Sequence, residues 1–317
     1  MNINGKNILI TGATGFVGAN LVRYFINKKA RVNIFKRKQS ELWRINDIKN
    51  KFFSHDVNLL NHADVKRAVK IIKPEVVIHT ATYGGHVTQR NIPLIFKTNF
   101  DATINLLDSS LKSGAGIFIN TGSSSEYGLK NCPMKETDVL KPITPYGASK
   151  ALATIYCQYA AKKFSVPVVT LRLFSPYGYY DDVNRAVSYL ILSCLRKTPL
   201  NIKSPDSVRD FVFIEDVIES YGNVLRNSSN LSGEIFNIGS GKQYSIKYLA
   251  EKIARLTGMN AQLSFQKKNK TLMTEPKTWV ADCSLSFKEL GWSPKFNIEG
   301  GLKKTINWFR SNIGLYS

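Results

Sequence analysis

The chain has 317 residues, 43% of them apolar and 21% charged, enough to bury a sizeable core and divide into two lobes. The net charge of +21 is spread along the whole chain, with clusters as short as Lys36-Arg37-Lys38 and Lys267-Lys268 and no basic helix with interleaved aromatics. That argues against nucleic acid and for a solvated lysine surface, which attracts an acidic diphosphate as a by-product. No apolar run reaches the ~20 residues of a membrane span, and the first strand starts too early for a signal peptide. Cys132, Cys157, Cys194 and Cys283 lack metal spacing and read as reduced thiols, so a cytoplasmic protein without a metal is expected.

Asn7-Ile8-Leu9-Ile10-Thr11 is an apolar run suited to a buried parallel strand, and Ala19 to Ile26 has helical apolar spacing. Gly12-Ala13-Thr14-Gly15-Phe16-Val17-Gly18 stands between them. Glycines three apart at a strand-to-helix junction permit the tight turn, admit a pyrophosphate to the backbone and let the helix pack on the strand. Phosphates then lie on the exposed N–H groups at the positive helix end, which assigns Gly12, Thr14, Gly15, Phe16, Val17 and Gly18 to a dinucleotide. A glycine turn without ligand is the alternative.

Arg31–Phe35 reads as the second strand and ends on Lys36 and Arg37. An acidic residue there would hold the ribose 2′-hydroxyl of NAD, whereas a basic one accommodates the 2′-phosphate of NADP. The two cations favour NADP, with NAD as the alternative and a solvated turn as the plain reading. Glu75–His79, Gly116–Asn120 and Val168–Leu173 read as further strands, alternating with helices near Ile95–Leu111 and Ala148–Lys163. Such alternation predicts a parallel sheet covered on both faces, with every C-terminal strand end at one edge. The Gly12 turn, Lys36, Asp56, Thr80 to Thr82 and Ser123 fall at such ends and converge on one crevice. Beyond Arg172 the pattern loosens around Pro176, Pro199 and Pro205, as expected of a smaller lobe.

In Pro145-Tyr146-Gly147-Ala148-Ser149-Lys150 a phenol and an amine four residues apart share one helix face. A tyrosine titrates near pH ~10, and a cation beneath its oxygen brings that value towards neutrality, making Tyr146 a usable general acid or base. The same spacing also arises where a surface lysine packs beside a half-buried tyrosine.

These motifs have company. Asp56-Val57, His79-Thr80-Ala81-Thr82 and Thr121-Gly122-Ser123-Ser124-Ser125-Glu126-Tyr127-Gly128 follow in order, then Leu171-Arg172-Leu173-Phe174-Ser175-Pro176-Tyr177-Gly178, Arg209-Asp210-Phe211 and Phe236-Asn237-Ile238-Gly239. Together they resemble, nearly end to end, the extended short-chain dehydrogenase/reductase family in its nucleotide-sugar epimerase, dehydratase and reductase branch.

The resemblance implies an α/β fold, a Rossmann-type doubly wound parallel sheet with a smaller C-terminal substrate lobe. Residues 1–172, with 209–239 returning to them, would form the NAD(P)-binding domain; 173–208 and 240–317 would form the substrate lobe. It implies Ser123, Tyr146 and Lys150 as catalytic residues, with Ser124 and Ser125 as neighbours offering the same hydroxyl. Asp56, Val57, Thr80, Ala81, Thr82 and Asn99 join the cofactor set, as do Tyr146 and Lys150. His86, Ser124, Ser125, Ser175 and Arg209 would meet a nucleoside-diphosphate sugar; Ser175 stands where many relatives carry the longer Asn. The helices near Ile95–Leu111 and Ala148–Lys163, apolar on more than one face, would form a homodimer seam. Dehydratases of the branch carry Glu two residues before the Tyr of Tyr-Gly, where Ser125 stands. Glu126 is one residue late and, on a strand, would face the opposite side. That argues against a 4,6-dehydratase and leaves epimerase and reductase; Lys36 makes a 4-keto-6-deoxy-sugar-nucleotide reductase acting at C4 the leading expectation, and an NAD-dependent 4-epimerase the alternative. A non-catalytic dinucleotide-binding regulator is a distant third, since such proteins lose Tyr or Lys of the catalytic pair. Polysaccharide supply is the expected setting.

Overall fold

The computed structural model describes residues 1–86, 88–202, 204–227, 231–258, 263–265 and 276–316; the Lys267-Lys268 cluster lies outside them. In chain order the first half is β1 (Asn7–Thr11), α1 (Phe16–Asn27), β2 (Arg31–Lys36), β3 (Phe53–Asp56), α2 (His62–Ile72), β4 (Val76–His79), α3 (Ile92–Phe96), α4 (Ala102–Lys112) and β5 (Ile117–Ser123). The second half is α5 (Pro145–Phe164), β6 (Val168–Leu173), β7 (Ser175–Tyr177), α6 (Ala186–Leu195), β8 (Leu200–Ile202), β9 (Val208–Phe213), α7 (Ile214–Arg226), β10 (Ile235–Ile238), β11 (Gln243–Ser245), α8 (Ile246–Thr257), β12 (Leu263–Phe265), α9 (Ser284–Leu290) and α10 (Ile298–Ser311).

Seven parallel strands form the main sheet in the order β10-β6-β5-β4-β1-β2-β3. Alternate residues of each strand feed opposite layers. Ile8, Ile10, Ile34, Ile78 and Ile119 meet Leu21, Val22 and Phe25 of α1 on one side. Leu9, Phe35, Val77 and Phe118 meet Val65 and Val69 of α2 and Leu106 and Leu107 of α4 on the other. Burial on both faces explains why the strands read as continuous apolar runs rather than alternating ones. Strand order reverses between β1 and β4, whose ends Thr11 and His79 lie in register, and a crevice opens there.

Several boundaries differ from the sequence reading. Strand β3 has mostly exposed residues, which hides it from an apolar search. Thr144 caps α5 by accepting the Gly147 N–H, and Pro145 opens it, so the helix begins three residues before Ala148. The expected helix over Ile95–Leu111 is broken by a π-helical turn at Lys97–Asp101. The lobe division also shifts. Residues 208–213 form β9, which pairs with β7 and β11 in a separate three-stranded sheet, so the return to the nucleotide lobe starts with α7 rather than at Arg209. The reason is packing: α7 lies against α1, and β10 then joins β6 through Ile235 opposite Thr170. Asp216 of α7 accepts the Lys295 and Phe296 N–H groups, and its carbonyl accepts the Trp292 indole N–H, which ties the C-terminal segment to the same lobe.

Gly12 sits at the crevice with φ +68°, and a Cβ there would lie 2.5 Å from the Ala81 nitrogen. Both the left-handed backbone and the close approach require glycine. Gly12→Ala is expected to lower the unfolding free energy by about 1–3 kcal/mol in urea denaturation.

Candidate active site

The glycine turn leads into α1, whose N-cap, Gly15, makes no side-chain cap. The first-turn N–H groups therefore face the crevice, with the helix dipole behind them. Gly12, Thr14 and Gly15 line a cavity of about 260 Å³ together with Lys36, Arg37, Ser40, Val57, Thr80, Ala81 and Thr82. The walls of this cavity carry no carboxylate. Asp56 lies outside that wall and forms an ion pair with Lys36. Register places Lys36 opposite Asp56 and turns the two charges to each other; Val57 lines this cavity, and Asp56 lines an adjoining one with Arg37 and Val57. The same pairing partly neutralises Lys36, leaving Arg37 as the further cation on this wall.

Asn99 is also placed differently from expectation, lining none of the cavities described here. Buried in the π-helical turn, its side-chain oxygen accepts the Tyr83 N–H and the Thr82 hydroxyl, while its NH₂ group donates to the Tyr83 carbonyl and the Ser149 hydroxyl. All its hydrogen-bonding capacity is committed to joining the loop after β4 to α5.

A second cavity of about 430 Å³ continues past Gly15, Phe16, Val17 and Gly18 and is walled by Ser123, Ser124, Ser125 and Tyr146. A Cβ at Gly147 would lie 2.3 Å from the Ser125 carbonyl oxygen, so the start of α5 packs directly on the turn that ends β5. That contact brings Tyr146 to Ser123. Burial pushes the Tyr146 phenol above its ordinary range, opposed first by hydrogen bonds with Ser123 and Thr82 and then by the charge of Arg185. The expected lowering by Lys150 is thus not the leading effect. Lys150 is 3% exposed and lies behind the cavity wall. Burial pushes its ammonium down, and the carboxylate of Glu126 opposes that.

The far wall of this cavity adds His86, Ser175 and Arg209. His86 Nε2 stands 3.6 Å from Asp182 Oδ1, which bridges the loop after β4 to the smaller lobe. Ser175 and Arg209 also line an adjoining cavity of about 240 Å³ with Arg185, Ser207 and Phe211. Arg209 donates to the Ser207 hydroxyl and the Val208 carbonyl, and its guanidinium lies 5.1 Å from the Trp279 ring centre. Asp210 turns away and accepts the Ser240, Gly241 and Ala281 N–H groups.

Sequence reasoning missed Arg44, Asp182, Arg185 and Trp279, all on the larger cavity. Arg44 donates to the Thr14 and Tyr180 carbonyls, and the Trp279 indole donates to Ser124 at 3.1 Å. In so basic a chain nothing local separates a site arginine from a surface one, and Trp279 reaches Ser124 across 155 positions. The strand argument at Glu126 also needs correction. Ser124–Glu126 is a 3₁₀ turn, not strand, so Ser124 and Ser125 both face the cavity while Glu126 turns into the core.

Residues 8–239 match the model of the NAD dependent epimerase/dehydratase family. A UDP-glucuronate 4-epimerase from Thermodesulfobacterium geofontis is 27% identical, covering 97% of both chains. A dTDP-4-dehydro-6-deoxyglucose reductase from Escherichia coli is 26% identical, covering 98% of this chain and 99% of the relative. Among solved structures, a UDP-glucuronic acid 4-epimerase from Bacillus cereus in complex with UDP-4-deoxy-4-fluoro-glucuronic acid and NAD superposes with a TM-score of 0.87 at 27% identity, covering 96% and 99% of the two chains.

Asp181, on the adjoining cavity with Ser175 and Arg209, is fully buried, and one carboxylate oxygen has no partner among the described residues. Desolvation raises its carboxyl from 3.8 to about 6, with Arg185 opposing. The folded protein therefore holds this proton more tightly than the unfolded chain. The associated stability is fully present below about pH 4 and is lost as pH rises through about 6, a difference of about 3 kcal/mol. In urea denaturation, Asp181→Asn should become more favourable relative to the parent protein by about 2–3 kcal/mol between pH 4 and pH 8.

Proposed function

The chain belongs to the NAD-dependent epimerase/dehydratase family, and from that premise we propose that it is an NADP-dependent reductase of a 4-keto-6-deoxy sugar nucleotide. The observation that carries this reading is the pairing of Tyr146 with Ser123 on a cavity that also touches the glycine turn and Arg209. The crevice thus has a dinucleotide end, a proton donor and a cationic substrate end in sequence.

Bound nicotinamide would supply the hydride. Tyr146, kept protonated by burial, would donate its proton to the oxygen forming at C4, while the Ser123 hydroxyl holds that oxygen. Lys150, just behind the cavity wall, would favour with its charge the phenolate left behind. Arg209 and Arg185 flank the second cavity, where a planar guanidinium suits a diphosphate. Ser175 is shorter than the Asn of many relatives, which moves more of that task to the arginines. At the ribose end, Lys36, Arg37 and Ser40 with no lining carboxylate support the 2′-phosphate of NADP and, with it, a cofactor-consuming reductase.

A second reading, an NAD-retaining 4-epimerase, is favoured by the Lys36–Asp56 ion pair, which weakens the attraction for a phosphate. Titration with NADPH and NADH separates the two: clear preference for NADPH, with little nucleotide retained through purification, supports the reductase. Tightly retained NAD without preference sinks it. Lys36→Asp is expected to weaken NADPH binding about 10-fold or more and to leave NADH binding little changed.

Tyr146→Phe is expected to lower kcat for NADPH oxidation with a 4-keto-6-deoxy sugar nucleotide by about 10²–10⁴-fold. Nucleotide affinity, measured by fluorescence titration, should be retained. Undiminished turnover would remove Tyr146 from the chemistry and return the protein to the non-catalytic class.

A further inference from the structure

Glu126 is a fully buried carboxylate that lines none of the substrate or cofactor cavities. One of its oxygens accepts the Ser123 N–H at 2.8 Å; the other accepts the Arg172 Nε–H at 2.8 Å. Ser123 is the N-cap of the 3₁₀ turn that Glu126 closes, and its Oγ accepts the Ser125 N–H at 3.1 Å. These two contacts hold Ser123 on the cavity wall that it shares with Tyr146. Space for the carboxylate comes from Gly122, where a Cβ would lie 2.7 Å from the Glu126 oxygen. The carboxylate also bears electrostatically on Lys150, Tyr146 and Cys157 of α5, raising all three.

We propose that Glu126 is a positioning residue of the proton-transfer machinery, holding the Ser123 hydroxyl beside Tyr146 on the cavity wall and bearing with its charge on the buried Lys150 ammonium. The proposal rests on the reading of this site as an oxidoreductase centre. The charged and titratable groups that face this arrangement are Tyr146, Lys150 and Cys157 on α5, Arg172 on β6, His79 on β4, Tyr127 and Glu136 behind the turn, and Arg185 across the cavity. Tyr127 supports the same network from below, donating to Asn237 at 2.7 Å and accepting from Arg172 at 3.0 Å. Loss of the Glu126 charge removes an influence that keeps both Tyr146 and Lys150 protonated, so both shed protons at lower pH.

The test replaces the ion pair by neutral side chains of similar size, Glu126→Gln with Arg172→Gln, which leaves no single buried charge unpaired. Tyr146 phenolate is followed by ultraviolet difference absorbance, subtracting the matching protein that also carries Tyr146→Phe. The glutamine amide oxygen can still accept the Ser123 N–H, so the turn is kept while the charge is lost, and the phenolate is expected to appear at lower pH than in the parent protein, with NADPH affinity unchanged. In turnover, kcat should fall about 10-fold or more with KM little changed, and its alkaline limb should move to lower pH. An unmoved phenolate titration overturns the proposal, even if the rate falls. Should the double variant lose nucleotide binding, Glu126→Asp decides: it keeps the charge and retracts the carboxylate. It should leave the phenolate titration no lower than in the parent protein while lowering kcat; a downward shift of the titration would overturn the proposal. If the parent protein reduces no keto sugar, the oxidoreductase reading fails, yet the phenolate titration still judges the role of Glu126.

Discussion

Parallel pairing of β1 with β4 is the constraint on which the site depends. It sets the backbone of Gly12 against Thr80 and Ala81 at a distance that no side chain tolerates. From that contact the crevice extends both ways. On one side lie β2 and β3 with Lys36 and Arg37; on the other, β5 ends in the turn that carries Ser123. Layers of Ile, Leu, Val and Phe above and below the sheet hold the strand ends in place.

Charge inside this protein is arranged very differently from charge on its surface. The excess of lysine outside is solvated and screened over about 10 Å at ordinary ionic strength. Arg172 and Glu126, by contrast, are 1% and 0% exposed and meet in a hydrogen-bonded pair reinforced by Tyr127. Removing one member of such a pair typically costs about 3–5 kcal/mol, because the other is left buried without compensation. Around that pair the titratable groups of the centre are held away from their ordinary ranges mainly by desolvation: Tyr146 up, Lys150 down and the Cys157 thiol up to about 12. Desolvation is strong here because the start of α5 is packed onto the turn after β5, leaving the phenol oxygen to Ser123 and Thr82.

Much of the fold and of the cofactor end was legible in the chain. The Gly12–Gly18 turn carries its own geometric reason, and apolar runs located β1, β2, β4, β5 and β6 with small boundary errors. Less of the substrate end was legible. Ser123, Tyr146, His86, Ser175 and Arg209 share one cavity, and Asp182, Arg185 and Trp279 join them from loops with no periodicity to reveal them. Asn99 looked like a cofactor contact and is instead a brace for the loop after β4, because a π-helical turn swings its side chain inward.

By itself, the sequence determined what local chemistry dictates: the glycine turn, the strand and helix periods, the Tyr146–Lys150 spacing and the ordered motifs that mark the family. Tertiary structure alone decided which charges face each other. Asp56 was drawn to Lys36 by strand register, and Glu126 was turned inward to Arg172 because the chain leaves the strand at Ser123 and enters a 3₁₀ turn. Pairings between residues 20 and 46 positions apart depend on register and on the end point of a strand. Both are set by the packing of the whole sheet, and neither is written in the residues that pair.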